Sequence, residues 1–389
     1  MKILNRRQFI LGLGMLPIAS YTKAGRASET LKKPIEKLTA NFQDLTKVSV
    51  QKCTTYETKF LRKYIQQMFD DIGGLGDIIK PGYSVGIKIN LTGGIQAAGK
   101  LQKQTHLPAK ETFWSHPEVT RVVSELIKDA GAGKLYFMDA SYDGIKSFAL
   151  DGFDLVARAV GAEIINLNKP EPYKEFQITK VEPHYIWPEF TMNRLLNELD
   201  VYVSINKMKQ HGAAGVTLSL KNQVGIVPLS VDAYTKGAGS RAGFHAPGEN
   251  FLVKTTVDLN VARPIDLAFI DGITTIEGGE GPWIRNLNPV KPGLLVAGKN
   301  PVAVDAVCTS LMGFDPEAKD KDQPFRNCHN YLRLADLDRH MGNHRLKNIE
   351  VIGTPIQTAR FDFAPMASKA TMKRLYGIDS SLPYGGWLG

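Results

Sequence analysis

The sequence predicts an α/β protein: a mostly parallel sheet with helices on both faces, in a two-lobed arrangement. Three observations predict it. Runs of strand length, some alternating with period two and some continuously apolar, take turns with longer runs whose apolar residues recur at helical spacing. Gly, Pro and Asn fall between these runs, where chain reversals need them. The chain has 389 residues, 43% of them apolar, enough to bury a large core and cover both faces of a sheet.

The first predicted helix carries Leu61, Ile65, Met68 and Ile72 on one face. Tyr83 to Leu91 reads as a strand in which Val85, Ile87, Ile89 and Leu91 point one way, so Lys88 and Asn90 share the other. Pro117 and Glu118 open a helix through Val119, Val122, Val123, Leu126 and Ile127, closed by Gly131. Lys134 to Asp139 is the next strand, a helix is expected near 148–160, and Glu163 to Leu167 returns as a strand. The βαβαβ order continues with a helix near 189–197 and a strand from Val201 to Ile205. Further strands are expected at Leu267–Ile270, Leu294–Val296 and Ile349–Ile352, with Asn300 and Pro301 as cap and first residue of a helix running to Met312.

In a sheet of this kind ligands gather beyond the carboxyl ends of the strands. Asp139, the Asn206 to Lys209 segment and Asp271 all fall there. Pro228 to Glu249, rich in Gly, Ser and Ala, is expected to be a long loop with a functional purpose.

Residues 49–355 are expected to form the α/β domain, preceded by an export signal at 1–27 and a linker at 28–48, and followed by a tail at 356–389. Lys2, Arg6 and Arg7 precede an apolar run from Phe9 to Ala19, as in a signal peptide. Asn5-Arg6-Arg7-Gln8-Phe9-Ile10-Leu11 is similar to the twin-arginine consensus, with Asn in place of the usual Ser or Thr. The apolar run is too short to span about 30 Å of hydrocarbon. Cleavage between Ser20 and Ala27 is therefore expected, with the twin-arginine export machinery as a partner, a periplasmic or otherwise extracytoplasmic destination and no stable transmembrane segment.

The formal charge of +9 falls to +4 once the five basic residues of the signal are gone. No block of Lys and Arg interleaved with aromatics is present, so a local basic pocket for an anionic small molecule is expected, and nucleic acid is not. Cys53, Cys308 and Cys328 cannot all pair and lack Cys-x-x-Cys spacing, which argues against an iron–sulfur cluster. Cys308 lies in an apolar helical run and reads as packing.

The densest chemistry lies in Asn206-Lys207-Met208-Lys209-Gln210-His211 and in Val216 through Gly225. Lys207, Lys209 and Lys221 with His211, at the end of a buried strand, suit a phosphate or carboxylate held by charge-assisted hydrogen bonds. Thr217 and Lys221 share a face whether 216–224 is helical or extended. A solvated basic loop has the same composition, and composition does not separate the two. Asp271 ends a strand before the flexible Glu277-Gly278-Gly279-Glu280-Gly281-Pro282 loop, where it either serves a site or caps a turn. Asp305, within an apolar helix, must find a partner, and a structural Lys, an Arg or a helix end would suffice. His116 precedes a helix it can cap, whereas His211 beside lysines suits proton transfer or metal ligation.

These pieces, in this order from Tyr83 to Gly353, resemble the domain of unknown function 362 family: Ile87-Lys88-Ile89-Asn90, His116-Pro117-Glu118-Val119, Phe137-Met138-Asp139, Lys207 to His211, Val216 to Gly225, Ile270-Asp271-Gly272 through Pro282, and Ala297-Gly298 through Val307. The resemblance implies one site drawn from Lys88, Asn90, His116, Lys209, His211, Thr217, Lys221, Asn222, Asp271, Glu277 and Asp305. It implies no reaction. Some members carry ferredoxin-like cysteine clusters that this chain lacks, and Asn206 stands where the family shows Pro.

The expected function is an exported enzyme of undefined reaction on a carboxylated or phosphorylated small molecule. His211, Lys209, Lys221, Asp271 and Glu277 are its candidate catalytic groups. Lys88, Asn90, Thr217, Asn222 and Lys207 are expected to bind substrate, with Asp305 and Glu280 in support. A divalent metal on His116, His211 and Asp139 is the candidate cofactor. The alternative is a periplasmic binding protein that uses the same lysines without turnover.

Overall fold

The computed structural model describes residues 47–229, 244, 250–284 and 287–365. The signal at 1–27, the linker up to residue 46, most of the expected loop at 228–249 and the tail beyond 365 lie outside the described residues. Fourteen strands occur in them: β1 Lys47–Lys52, β2 Ser84–Lys88, β3 Lys134–Asp139, β4 Ala162–Asn166, β5 Gln177–Lys180, β6 Glu189–Met192, β7 Val201–Lys207, β8 Lys209–His211, β9 Gly215–Thr217, β10 Leu267–Gly272, β11 Thr275–Glu277, β12 Asn288–Val290, β13 Leu294–Gly298 and β14 Glu350–Gly353.

Eight strands form one sheet in the order β14-β1-β13-β10-β7-β2-β3-β4. Neighbours are parallel except at β13, which runs against both β1 and β10. The other six strands pair as hairpins, β5 with β6, β8 with β9 and β11 with β12.

Alternation along β7 sorts the core into two. Val201, Val203 and Ile205 join the cluster that buries Leu61, Ile65 and Met68 of α1 (Thr58–Asp71), while Tyr202 joins the one on the other face. The first face also takes Val119, Val122 and Val123 of the helix Pro117–Asp129; the second takes the apolar sides of Phe251–Ala262 and Pro301–Leu311. Helices thus cover both faces of a mostly parallel sheet, and the two cores are the two sides of that one sheet. Each large apolar side chain buried this way contributes about 1.5–3 kcal/mol. Among the described residues no helix is long and apolar enough to cross a membrane.

Helix starts follow their local chemistry. His116 Nδ1 accepts the Glu118 N–H ahead of Pro117, and Asn300 Oδ1 accepts the Ala303 N–H ahead of Pro301. Two expected elements differ. The helix near 148–160 is two helices, Ile145–Leu150 and Phe153–Val160, because Gly152 at φ +89° breaks the run. The helix near 189–197 is the strand β6 followed by one turn, Leu195–Glu198, since Phe190 and Met192, two residues apart, are both fully buried.

Asp305 finds a helix end. Its Oδ1 accepts the Ser219 N–H at 2.9 Å and the Ser219 hydroxyl, and its Oδ2 accepts the Leu220 N–H at 3.0 Å, fixing the short helix Ser219–Asn222. Complete burial raises its pKa from 3.8 to about 7, against the pull of those hydrogen bonds. The folded chain therefore holds a proton here that the unfolded chain releases near pH 4. This group's stabilisation is full below that pH and is lost as the pH rises toward 7, by up to about 4 kcal/mol. Urea titrations across pH 4–8 are expected to show that decline in the parent chain and not in Asp305→Asn. Parallel pH profiles for the two proteins would contradict it.

Candidate active site

The chain leaves β2 outward through β3 to β4, then returns to place β7 on the other side of β2 and continues to β10. Strand order reverses between β2 and β7, and a crevice opens beyond the carboxyl ends of strands at such a point. A cavity of about 50 Å³ lies there, lined among others by Lys88, Asn90, Asp139, Lys209, His211, Thr217, Lys221, Asn222, Gly225 and Glu280, with Thr92, Tyr142 and Trp283 at its more exposed side.

Its floor is a buried ion pair. Lys88 Nζ stands 2.9 Å from Asp139 Oδ1, with both side chains at least 96% buried, and also donates to the Ile89 carbonyl and, at 3.3 Å, to Asn222 Oδ1. Asp139 Oδ2 accepts the Leu91 N–H at 2.8 Å. Asn222 receives Asn90 Nδ2 at 3.1 Å and donates to Ser204 Oγ at 3.0 Å. Ser115 Oγ closes the network, accepting from the Asn90 N–H and donating to the Ile205 carbonyl. Gly225 has to be glycine here, because a Cβ would sit 2.7 Å from both Lys88 Nζ and Asp139 Oδ1.

The wall is the β8–β9 hairpin. Lys209 pairs directly with Thr217, and His211 lies two residues on, so all three side chains share one face and meet the cavity. Lys209 is fully buried and its amine donates to the Phe113 carbonyl at 2.5 Å. Burial lowers its pKa to about 7; Glu280 opposes the drop, and Lys221, Lys207 and Lys88 add to it. The Thr217 hydroxyl is buried and has no hydrogen-bond partner among the described residues. His211 Nδ1 accepts the Ala213 N–H at 3.1 Å and lies 3.9 Å from Glu280 Oε2, while Glu280 also accepts from the Gly212 N–H and Trp283 Nε1.

Besides Asp305, four predicted residues stand elsewhere. Lys207 Nζ is bound by Asp271 Oδ2 at 2.7 Å, Tyr56 Oη at 2.7 Å and the Thr274 carbonyl at 2.9 Å, a closed cluster beside the cavity. Asp271 is spent there, neutralising Lys207, and also accepts from the Ile273 N–H. His116 stacks on Tyr56 at 3.6 Å between ring centroids; burial, then Lys207 and Lys110, lower its pKa to about 2, so it is a neutral cap. Glu277 accepts from Asn288 Nδ2 and the Ala364 N–H and does not line the cavity. The carboxylate beside His211 is therefore Glu280, in place of the expected Asp271 or Glu277.

The expected metal set of His116, His211 and Asp139 is not assembled either: His116 is a cap and Asp139 is engaged by Lys88. Among the described residues no three His, Cys, Asp or Glu side chains are grouped to hold an ion. The three cysteines are buried and form no disulfide among the described residues. Tyr56, Phe113, Ser115, Ser204 and Trp283 had no distinguishing sequence signal, except that Ser204 lies two residues before Asn206 on the same face of β7.

Fold and cavity define an α/β protein with a lysine-lined crevice at its topological switch point. The family model described as domain of unknown function (DUF362) matches residues 85–310, and the chain belongs to that family. It is 28% identical over 272 residues to the thylakoid-associated protein sll1697 of Synechocystis sp., covering 69% of this chain and 75% of that protein. A crystal structure of a Thermotoga maritima protein aligns at 13% identity with a TM-score of 0.35, over 66% of this chain; the chain spans 59% of that structure's length.

Removing one member of the floor pair leaves the other charge buried. Asp139→Asn is expected to cost about 3–5 kcal/mol in urea unfolding. The paired replacement Lys88→Met with Asp139→Leu is expected to cost less than the single change. A double variant at least as destabilised as Asp139→Asn would show that the pair is not the source of the cost.

Proposed function

We propose that the protein is an exported enzyme acting on a small carboxylated or phosphorylated molecule by proton transfer in the switch-point cavity. The observation that carries this reading is the Thr217 hydroxyl, buried with no hydrogen-bond partner among the described residues and facing the same cavity as Lys209 and Lys221. An unsatisfied buried hydroxyl costs about 1–3 kcal/mol, and an anion held by Lys221 and Thr217 would satisfy it. His211 with Glu280 beside it supplies a proton-moving group that simple capture does not need. Asp271 and Glu277 drop out of the catalytic set on this reading, and Lys207 out of the substrate-binding set. Lys88, Asn90 and Asn222 shape the floor.

Titration calorimetry with inorganic phosphate and with acetate tests the pocket. Lys221→Ala is expected to weaken anion binding about tenfold or more, the loss of a charge-assisted hydrogen bond of about 1.5–3 kcal/mol. His211→Ala is expected to bind within about threefold of the parent, since it removes no charged contact. Unchanged binding in Lys221→Ala would sink the assignment. Once a turnover assay exists, activity that survives in His211→Ala would favour a binding protein.

The address is part of the same proposal. Arg6 and Arg7 ahead of the Phe9 to Ala19 run support twin-arginine export to the periplasm or its equivalent, and a relative found with thylakoids fits work at or beyond a membrane. Replacing Arg6 and Arg7 together by Lys is expected to leave the protein in the cytoplasm with its signal uncleaved, as read by fractionation and intact mass. Normal export of that variant would contradict it.

A further inference from the structure

We infer that Lys209 forms a Schiff base with a small 2-oxo acid, an inference that rests on the anion pocket proposed above and names its substrate class. The argument begins with how the buried lysines differ. Lys88 is held by a carboxylate, an amide oxygen and a carbonyl; Lys207 by a carboxylate, a phenol and a carbonyl. Lys209 forms no ion pair among the described residues, and its amine has one acceptor there, the Phe113 carbonyl. A buried ammonium with so few partners is costly, which favours the neutral amine, and in that form it keeps a lone pair for the cavity it lines.

The neighbours fit a carbonyl substrate bearing a carboxylate. Thr217, directly opposite Lys209 in the hairpin, offers a hydroxyl with no hydrogen-bond partner among the described residues, and Lys221 lines the same space. Burial, with smaller contributions from Lys221, Lys207 and Lys88 and against the pull of Glu280, lowers the Lys209 pKa to about 7 and so favours the uncharged amine that imine formation needs. His211 accepts at Nδ1 from Ala213, so the neutral ring carries its hydrogen on Nε2. The cavity of about 50 Å³ takes about four waters on the scale where one needs 10–15 Å³, room that suits a small acid such as pyruvate.

The step balances without an oxidant or reductant. The Lys209 nitrogen lone pair forms a bond to the carbonyl carbon as the C=O π bond opens, and the proton of the new ammonium passes to the alkoxide oxygen, which the His211 Nε2–H steadies by a hydrogen bond. Protonation of the carbinolamine hydroxyl expels water, leaving the protonated imine: amine, carbonyl and one proton give iminium and water.

Borohydride trapping tests it. The purified full chain is incubated with pyruvate, then reduced, and the adduct located by intact mass and peptide mapping. Pyruvate binding is read separately as a rise in Tm. One reduced pyruvyl group on Lys209, absent in Lys209→Met and suppressed by excess acetate, is the expected result; far-UV circular dichroism checks that the variant folds. A Tm rise without an adduct overturns the Schiff base and leaves the anion pocket standing. Neither a Tm rise nor an adduct overturns both. Labelling spread over other lysines, equal in Lys209→Met, also overturns the Schiff base.

Discussion

The buried Lys88–Asp139 ion pair is the constraint on which the arrangement of the site depends. Each charge taken out of water costs several kcal/mol, which mutual attraction offsets only if the remaining hydrogen-bonding capacity is also met. Here it is met by groups from separate parts of the chain: the Leu91 N–H on Asp139, and Asn222 with the Ile89 carbonyl on Lys88. The pair joins the ends of β2 and β3 to the segment 222–225, with Gly225 fitted so closely that no side chain is admitted. Any shift of one partner leaves an unpaired buried charge, so the crevice has one low-energy shape.

Charge is apportioned unevenly around that floor. Lys88 and Lys207 each have a carboxylate and two other partners, and both serve to fix backbone ends. Among the described residues, the Lys209 amine has one acceptor and the Thr217 hydroxyl none, although both are buried. A core tends to satisfy its polar groups, and exceptions gather where a ligand completes the set. Glu280 holds the hairpin turn through the Gly212 N–H, lies 3.9 Å from His211 Nδ1, and its charge opposes the loss of the Lys209 proton.

Much of the fold was legible in sequence because period-two and helical patterns were long. Val85, Ile87, Ile89 and Leu91 fixed which way Lys88 and Asn90 point, and Asn300 with Pro301 marked a helix start that the structure retains. Short segments were not legible: β6 has four residues, and two apolar positions two apart do not outweigh a helical reading. The Lys221 to Gly225 segment and the Lys207 to His211 segment were identified as chemistry, but acid partners were not. Asp271, Glu277 and Glu280 lie within ten residues of one another, and which of them reaches His211 depends on the β11–β12 hairpin and the loop beyond it, neither of which leaves a mark in spacing.

Lys207 and Lys209 show the limit most clearly. At two residues apart in a continuing strand their side chains would share a face and a function. Here β7 ends at Lys207, the Met208 N–H bonds to the Asp271 carbonyl, and the chain leaves the sheet to begin the hairpin at Lys209. That single-residue break sends Lys207 to Asp271, opposite it in β10, and Lys209 across to Thr217. The site thus obtains one lysine that is locked and one that is free of any carboxylate partner among the described residues, from a motif whose spacing makes them look equivalent.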